Sequence, residues 1–122
     1  MNAFFINKEY YKSGILLGET PYVNGKKHGT EKYYFESGAI FRETPYVNGH
    51  EHGIQKIFSA FGSMDIVPYT NGKIHGVERR YYENGVLYEE NIFVRGVATI
   101  GVQRNHKRMR LNIFYAPMEN FV

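Results

Sequence analysis

Three histidines in register are the residues whose types and spacing come nearest to a chemical site. His28, His52 and His75 each stand before a glycine in a repeated phrase, and imidazoles can bind a metal ion or respond to pH. If the phrase recurs on every second strand of one sheet, equivalent positions lie roughly 9.5 Å apart, whereas zinc ligands lie about 2 Å from one ion. We therefore predict no metal site and expect each histidine to stabilise a turn through hydrogen bonds to local backbone.

Residues suited to catalysis are scarce. The chain has no cysteine, and three of its four serines, Ser13, Ser37 and Ser63, adjoin turn glycines, where they favour the turn. Most glutamates face a basic residue in the register predicted below, and the glycines are not clustered as in a phosphate-binding loop. The sequence therefore predicts no enzyme, no cofactor and no small-molecule ligand.

The elements that carry these residues repeat at intervals of 24 and 23 residues. The phrase TPYVNGKKHG at 20–29 returns as TPYVNGHEHG at 44–53 and as PYTNGKIHG at 68–76. A fixed period of this length indicates an array of similar units. Two series of glycines mark turns about one strand apart, so each unit is predicted to be a β-hairpin. The two series are Gly14, Gly38, Gly62 and Gly85, and Gly25, Gly49, Gly72 and Gly96.

The second series of glycines follows asparagine in three units. Asn-Gly supplies two residues that tolerate positive φ, which the type I′ hairpin turn requires at both central positions. We therefore predict structural turns at Asn24 and Gly25, Asn48 and Gly49, and Asn71 and Gly72.

The first series of glycines predicts the strand register. If Ser37 and Gly38 form a two-residue loop, Lys32 lies opposite Glu43, and the same count opposes unlike charges in two further units. In the third unit the partner of Lys56 is apolar. The predicted pairs are Phe35–Ile40, Tyr34–Phe41, Lys32–Glu43, Lys8–Glu19, Arg79–Glu90 and Lys56–Val67.

These patterns predict an all-β fold. It is a single-layer antiparallel meander of about four tandem hairpins of 23–24 residues over 8–96, ended by a C-terminal capping hairpin over 97–122. The chain has 11 tyrosines, which suit a thin sheet because their rings cover a strand without burying a polar group. The length predicts one domain over residues 1–122.

The basic residues are concentrated in the last quarter of the chain. Residues 1–94 hold 10 Lys or Arg and 11 acidic residues, whereas residues 95–122 hold 5 basic residues and Glu119. Here the repeat lapses, and we predict partner-binding residues at Arg104, Lys107, Arg108 and Arg110. Positive charge on a last strand also discourages pairing between sheet edges, and the sequence supports the two roles equally.

The copies KYYFESGAIFRETPYVNGHEHG and RRYYENGVLYEENIFVRG resemble the bacterial variant of the MORN repeat, and the resemblance covers residues 8–96. Small proteins of this class are similar to the antitoxin-like YwqK family and to immunity proteins of polymorphic toxin loci of the Maf type. The resemblance implies a protein that binds and neutralises a cognate bacterial toxin encoded by a neighbouring gene. The alternative to this function is that of a MORN-type scaffold or of a module that binds anionic membranes.

Partner specificity is expected outside the regular repeat. The third unit, IFSAFGSMDIVPYTNG, is one residue shorter than the others and departs from their pattern, and the tail has no counterpart in the repeat. A repeated surface offers little by which one partner can be told from another. We therefore expect the third unit and the tail to recognise the partner.

Charge and hydropathy narrow the range of partner classes that the sequence predicts. The net charge is +3 at pH 7, but the body of the chain has no basic excess, so nucleic-acid binding is not predicted. No run approaches the ~20 apolar residues of a membrane span, and neither a signal peptide nor a lipidation motif is found. We expect a cytoplasmic protein for which membrane binding is disfavoured.

Overall fold

The computed structural model describes residues 3–104 and 109–113, and this part of the chain is built from strands and turns without a helix. The strands form one 13-stranded antiparallel sheet. They are β1 (Phe4–Tyr10), β2 (Leu16–Val23), β3 (Lys26–Lys27), β4 (Gly29–Tyr34), β5 (Ile40–Val47), β6 (His50–Glu51), β7 (Gly53–Phe58), β8 (Met64–Thr70), β9 (Lys73–Ile74), β10 (Gly76–Tyr81), β11 (Leu87–Val94), β12 (Val97–Arg104) and β13 (Met109–Ile113).

The strand order confirms the predicted meander. Neighbouring strands follow the chain as β1-β2-β4-β5-β7-β8-β10-β11-β12-β13, and the short strands β3, β6 and β9, which follow the tight turns, pair with β2, β5 and β8. The last two strands of this order, β12 and β13, pair antiparallel, as the predicted capping hairpin requires.

The tight turns have the predicted backbone conformation. Asn24, Asn48 and Asn71 have φ of 52°, 48° and 48°, and each following glycine also has positive φ. Positive φ at both central residues is the mark of a type I′ turn. The fourth unit keeps this conformation although Arg95, with φ of 49°, replaces asparagine.

The loops at the other end of the sheet, which contain the first series of glycines, differ from the predicted two-residue form. In the second unit Gly38 N donates to Phe35 O (2.9 Å) and Phe35 N donates to Ala39 O (2.8 Å), so three residues form the loop. A β-bulge follows, and it places Tyr34 opposite Ile40. The predicted pairs Tyr34–Phe41 and Phe35–Ile40 are therefore wrong, because the bulge adds Phe41 to one strand only.

On the side of each bulge that lies away from the loop, the strand register is as predicted in three units. Lys8 lies opposite Glu19, Lys32 opposite Glu43, and Arg79 opposite Glu90. The bulge displaces only the pairs nearest the loop.

The third unit lacks the bulge. Its register runs unbroken from Gly53↔Tyr69 to Phe58↔Met64, so Lys56 lies opposite Ile66 and the predicted Lys56–Val67 pair is wrong. The residue deleted from this unit is the one that forms the bulge elsewhere, at Leu17, Phe41 and Tyr88.

A row of polar side chains forms the most buried part of the sheet. Glu31 and Thr44 are each 2% exposed, and Val67 is the only buried hydrophobic residue in the described part of the chain. The buried groups satisfy one another, since Thr20 Oγ1 donates to Glu31 Oε2 (2.9 Å) and Gln55 Nε2 donates to Thr44 Oγ1 (3.0 Å). A single layer thus acquires an ordered interior by pairing its buried polar groups.

Candidate protein-interaction surface

The three histidines bind backbone, but not the backbone of their own turns. Nδ1 of His28 accepts a hydrogen bond from Asn48 N (3.2 Å), and Nδ1 of His75 accepts one from Arg95 N (3.1 Å). His52 does the same for Asn71 N at 3.4 Å. The expected local role is therefore corrected, because each histidine holds the turn of the next unit.

Four basic residues form a row along one end of the sheet, which we call the turn edge. Lys26, His50 and Lys73 follow the first three tight turns, and Arg95 lies within the fourth. Each of the first three covers the glycine of the next turn. A Cβ on Gly49 would lie 3.9 Å from that of Lys26, and a Cβ on Gly96 would lie 3.9 Å from that of Lys73. The packing fixes these side chains in line.

The opposite end of the sheet carries an exposed aromatic residue. Phe61 is 84% exposed, more than any other large hydrophobic residue that the structure describes. It occupies the position before the loop glycine, where the other units have Ser13, Ser37 and Asn84. The loop tips of units one, two and four are thus polar, whereas the loop tip of the third unit is phenylalanine.

The loop that presents Phe61 is held by one side chain. Ser59 Oγ accepts hydrogen bonds from Phe61 N (3.2 Å), Ser63 N (3.1 Å) and Ser63 Oγ (2.7 Å). Ser59 stands where the other units have an aromatic residue, at Tyr11, Phe35 and Tyr82. The exchange of an aromatic ring for a hydroxyl therefore changes how the loop is fixed.

The same exchange leaves space beside the loop. In the second and fourth units the aromatic residue packs against the bulge residue, as Phe35 with Phe41 (centroids 5.2 Å apart) and Tyr82 with Tyr88 (4.4 Å). The third unit has neither ring. Clefts of about 580 Å³ and about 500 Å³ lie on its two sides.

Aromatic side chains line both clefts, with aliphatic residues beside them in the first and polar residues beside them in the second. The first is bounded by Phe35, Ile40 and Phe58, and the second by Tyr82, Tyr88 and Glu83. We call Phe61 with these two clefts the third-unit surface. It presents a projecting ring between two concave apolar sites.

Comparison with known families decides what the regular units are. The model of the MORN repeat variant matches residues 6–24, 27–48 and 74–94, which together make up half of the chain. The chain belongs to the MORN repeat variant family. The match omits the third MORN unit, where the structure shows the missing bulge. No curated protein matches the chain significantly.

Acidic side chains accompany the third-unit surface. Glu36 and Glu83, in the loops of the neighbouring MORN units, are exposed. Asp65 is the second residue of β8, the strand that lacks the bulge. Burial raises the pKa of its carboxyl, and the nearby Arg80 guanidinium offsets this only in part. The rim of the surface is therefore more acidic than the chain as a whole.

The predicted partner-binding residues of the tail are only partly within the described structure. Arg104 is held by an internal contact, since its Nη1 donates to Glu90 Oε1 at 2.6 Å. Arg110 lies in β13 with its backbone opposite Gln103. Lys107 and Arg108 lie outside the described residues, so partner binding by the tail stays a prediction.

Residues 3–104 and 109–113 hold no group of three His, Asp or Glu residues placed to bind a metal ion. No helix of the same residues is long and apolar enough to cross a bilayer.

The third-unit surface was only partly predictable. The departure of the third MORN unit from the repeat was evident, but Phe61 was not singled out. Its signal was present in the sequence, because aligning the units on their loop glycines places phenylalanine where serine or asparagine stands elsewhere.

Proposed function

We propose that this chain is an immunity protein or antitoxin that binds and neutralises a cognate bacterial toxin. The observation that carries the proposal is the third-unit surface, where an 84% exposed phenylalanine stands between two apolar clefts. Exposed aromatic residues that enter a partner's pocket dominate the energetics of many protein interfaces. The toxin is proposed to be encoded by a neighbouring gene.

The loop is suited to this role because it is ordered before binding. Two backbone N–H groups, those of Phe61 and Ser63, donate to Ser59 Oγ and fix the backbone around the tip. Ordering a loop on association costs conformational entropy, so a preformed loop binds more tightly than a flexible one. The third-unit surface also differs from the corresponding surfaces of the other units, so a partner can recognise this unit specifically.

Inhibition by such a protein needs no chemistry of its own. Covering or plugging the active site of a toxin is sufficient, and the proposed binder is therefore not an enzyme and uses no cofactor. We place it in the cytoplasm, where a neutralising partner would protect the cell that makes the toxin. Nucleic acid is not a proposed partner.

The test is co-expression with the toxic domain encoded beside the gene, followed by survival counts and a pull-down. Phe61→Ser is the informative variant, because units one and two have serine at this position. We expect it to keep the thermal melt of the parent and to lose protection and capture. Ile15→Ser is the control, since Ile15 is 41% exposed in the loop of the first unit.

Retained protection by Phe61→Ser would move the contact away from the third-unit surface. Failure of the parent protein to bind the neighbouring product would contradict the neutralising function itself.

The turn edge favours a second candidate function, a MORN-type scaffold that binds anionic membranes. Lys26, Lys73 and Arg95 stand in line there with four exposed histidines nearby, and each cation near an anionic surface contributes about 1 kcal/mol. Sedimentation with phosphatidylserine vesicles tests this function. Binding that Lys26→Glu with Lys73→Glu abolishes, and that Phe61→Ser leaves intact, would favour the scaffold.

A further inference from the structure

One face of the sheet carries an alternating row of charges. Lys8, Glu19, Lys32, Glu43 and Lys56 lie opposite one another on five successive strands of the sheet path. The row continues through Ile66, Arg79 and Glu90. Since directly opposed residues share a face, these side chains define one surface, which we call the ladder face.

An apolar row runs beside the charges on the ladder face. Its members stand two residues from the charged positions along each strand, so they share the same face. Ile6 (47% exposed), Ile54 (49%) and Ile92 (38%) are among the most exposed large hydrophobics of the described chain. The row consists of seven apolar residues and one threonine, namely Ile6, Pro21, Thr30, Pro45, Ile54, Pro68, Val77 and Ile92.

Several charges of the ladder face form no ion pair with any residue that the structure describes. Arg79 Nε lies 3.3 Å from Glu90 Oε2, but among the described residues no ion pair includes Lys32, Glu43 or Lys56. Lys32, Glu43 and Lys56 are thus neighbours in the strand register, but their side chains do not form ion pairs with one another. Lys32, Glu43, Lys56 and the apolar row therefore remain available to a partner.

We infer that the ladder face packs against the ladder face of a second copy of this chain. The two-fold axis runs parallel to the strands, midway between β5 and β7. Glu43 and Lys56 lie opposite one another on these strands, so the rotation places Glu43 of one copy over Lys56 of the other, twice. It also places Pro45 over Ile54, and Glu19 over Arg79.

Charge selects this position of the axis. An axis along β5 itself would place Glu43 over its own copy and Lys32 over Lys56, which opposes like charges. An axis midway between β7 and β8 overlaps all ten strands of the path but places Lys56 over Ile66 and opposes unlike charges only at Glu43 with Arg79 and Lys32 with Glu90. The axis between β5 and β7 opposes unlike charges at three kinds of contact, namely Glu43 with Lys56, Glu19 with Arg79 and Lys8 with Glu90. The position between β5 and β7 overlaps eight of the strands.

The overlapping area is sufficient for a stable dimer. Eight strands about 4.8 Å apart and six residues of about 3.3 Å each span a face of roughly 40 Å by 20 Å. This is near the roughly 800 Å² that each partner buries in a standard interface. The apolar row supplies the contact area, and the charges fix the orientation of the two copies.

The inferred dimer does not depend on toxin binding. A rotation about an axis parallel to the strands keeps the loop end of both copies at the same end. Both third-unit surfaces then point in one direction, so the dimer could engage two partner molecules.

The experiment uses light scattering after size-exclusion chromatography, with charge reversal at the central contact. The parent chain is expected to run as a dimer. Lys56→Glu or Glu43→Lys alone places like charges together at both central contacts, and each is expected to run as a monomer. The double variant Lys56→Glu with Glu43→Lys should restore the dimer.

A mixture of the two single variants separates contacts between copies from contacts within one chain. In each single variant the neighbours within the chain remain alike, whereas a mixed pair places the two carboxylates of the Lys56→Glu copy against the two lysine side chains of the Glu43→Lys copy. A dimer that forms only in the mixture supports the inferred interface. A parent chain that is monomeric at about 100 µM, or single variants that remain dimeric, would overturn it.

Discussion

Nδ1 of His28 accepts a hydrogen bond from the backbone N–H of Asn48, 20 residues further along the chain and 3.2 Å away. The next residue, Gly49, donates its N–H to the carbonyl of Lys27 at 2.8 Å. Each tight turn after the first is therefore fixed by the unit before it. Because a backbone N–H can only donate, Nδ1 must be the unprotonated nitrogen of the ring.

His28→Ala is expected to lower the free energy of unfolding by about 1 kcal/mol, the usual worth of one hydrogen bond. Urea unfolding followed by circular dichroism measures the change. His50→Ala is the control, since in the described structure no hydrogen bond of His50 to a turn is found. Equal losses in the two variants would show that the bond from Asn48 contributes nothing.

Arg95→Asn is expected to stabilise the fourth unit. Arg95 has φ of 49°, a conformation that asparagine adopts more readily than longer side chains. The gain should be a few tenths of a kcal/mol to about 1 kcal/mol, since the left-handed conformation costs most residues roughly 1–2 kcal/mol. Lys73→Asn controls for the loss of a positive charge on the turn edge. A melting temperature below that of the parent would contradict the prediction.

Acid should weaken the sheet through Glu90. The hydrogen bond from Arg104 holds the pKa of the Glu90 carboxyl below its ordinary value of 4.5, with a further contribution from Arg79. A carboxyl whose pKa is lower in the folded state stabilises the fold above the unfolded pKa, and this contribution is lost as the pH falls through the folded pKa. Stability should therefore fall below pH 4.5.

Glu90→Gln is expected to flatten this acid dependence and to lower stability at pH 7. Unfolding by urea at a series of pH values measures both effects. Glu36→Gln is the control, because Glu36 is exposed in a loop. An unchanged pH profile in Glu90→Gln would show that the contact with Arg104 is too exposed to affect folding.

The fold was predictable where local chemistry determines the backbone. Asn48 and Gly49 require positive φ wherever they form a hairpin turn, so their conformation followed from residue type alone. The pairing of Lys32 with Glu43 followed as well, because the extra loop residue on one strand and the bulge residue Phe41 on the other offset each other. Neither prediction needed knowledge of other units.

The bulge and the histidine contacts were not predictable in the same way. Phe41 is extra on its strand because the loop has three residues, and Ser37-Gly38 fits either loop length. His28 was expected to bind nearby backbone, but its acceptor nitrogen meets a unit 20 residues away. Both features depend on how neighbouring strands pack, which the sequence of one unit does not contain.

Rebuilding the third unit to the pattern of its neighbours tests whether its departures serve partner binding. A tyrosine inserted between Met64 and Asp65 restores the bulge residue, and Ser59→Tyr restores the ring that packs against it. The new pair should resemble Tyr82 with Tyr88, whose ring centroids lie 4.4 Å apart.

We expect the rebuilt chain to be more stable by about 1 kcal/mol, the contribution of one aromatic pair. We also expect it to bind its toxin about tenfold more weakly. The new rings fill the clefts, and without Ser59 the loop that presents Phe61 is no longer held in place. Urea unfolding and a kinetic binding assay with the neighbouring gene product measure the two effects. Ser59→Ala is the control, since it removes the hydrogen bonds without filling either cleft. A rebuilt chain that gains stability and binds as tightly as the parent would show that the third-unit surface is a defect of the repeat and not a binding site.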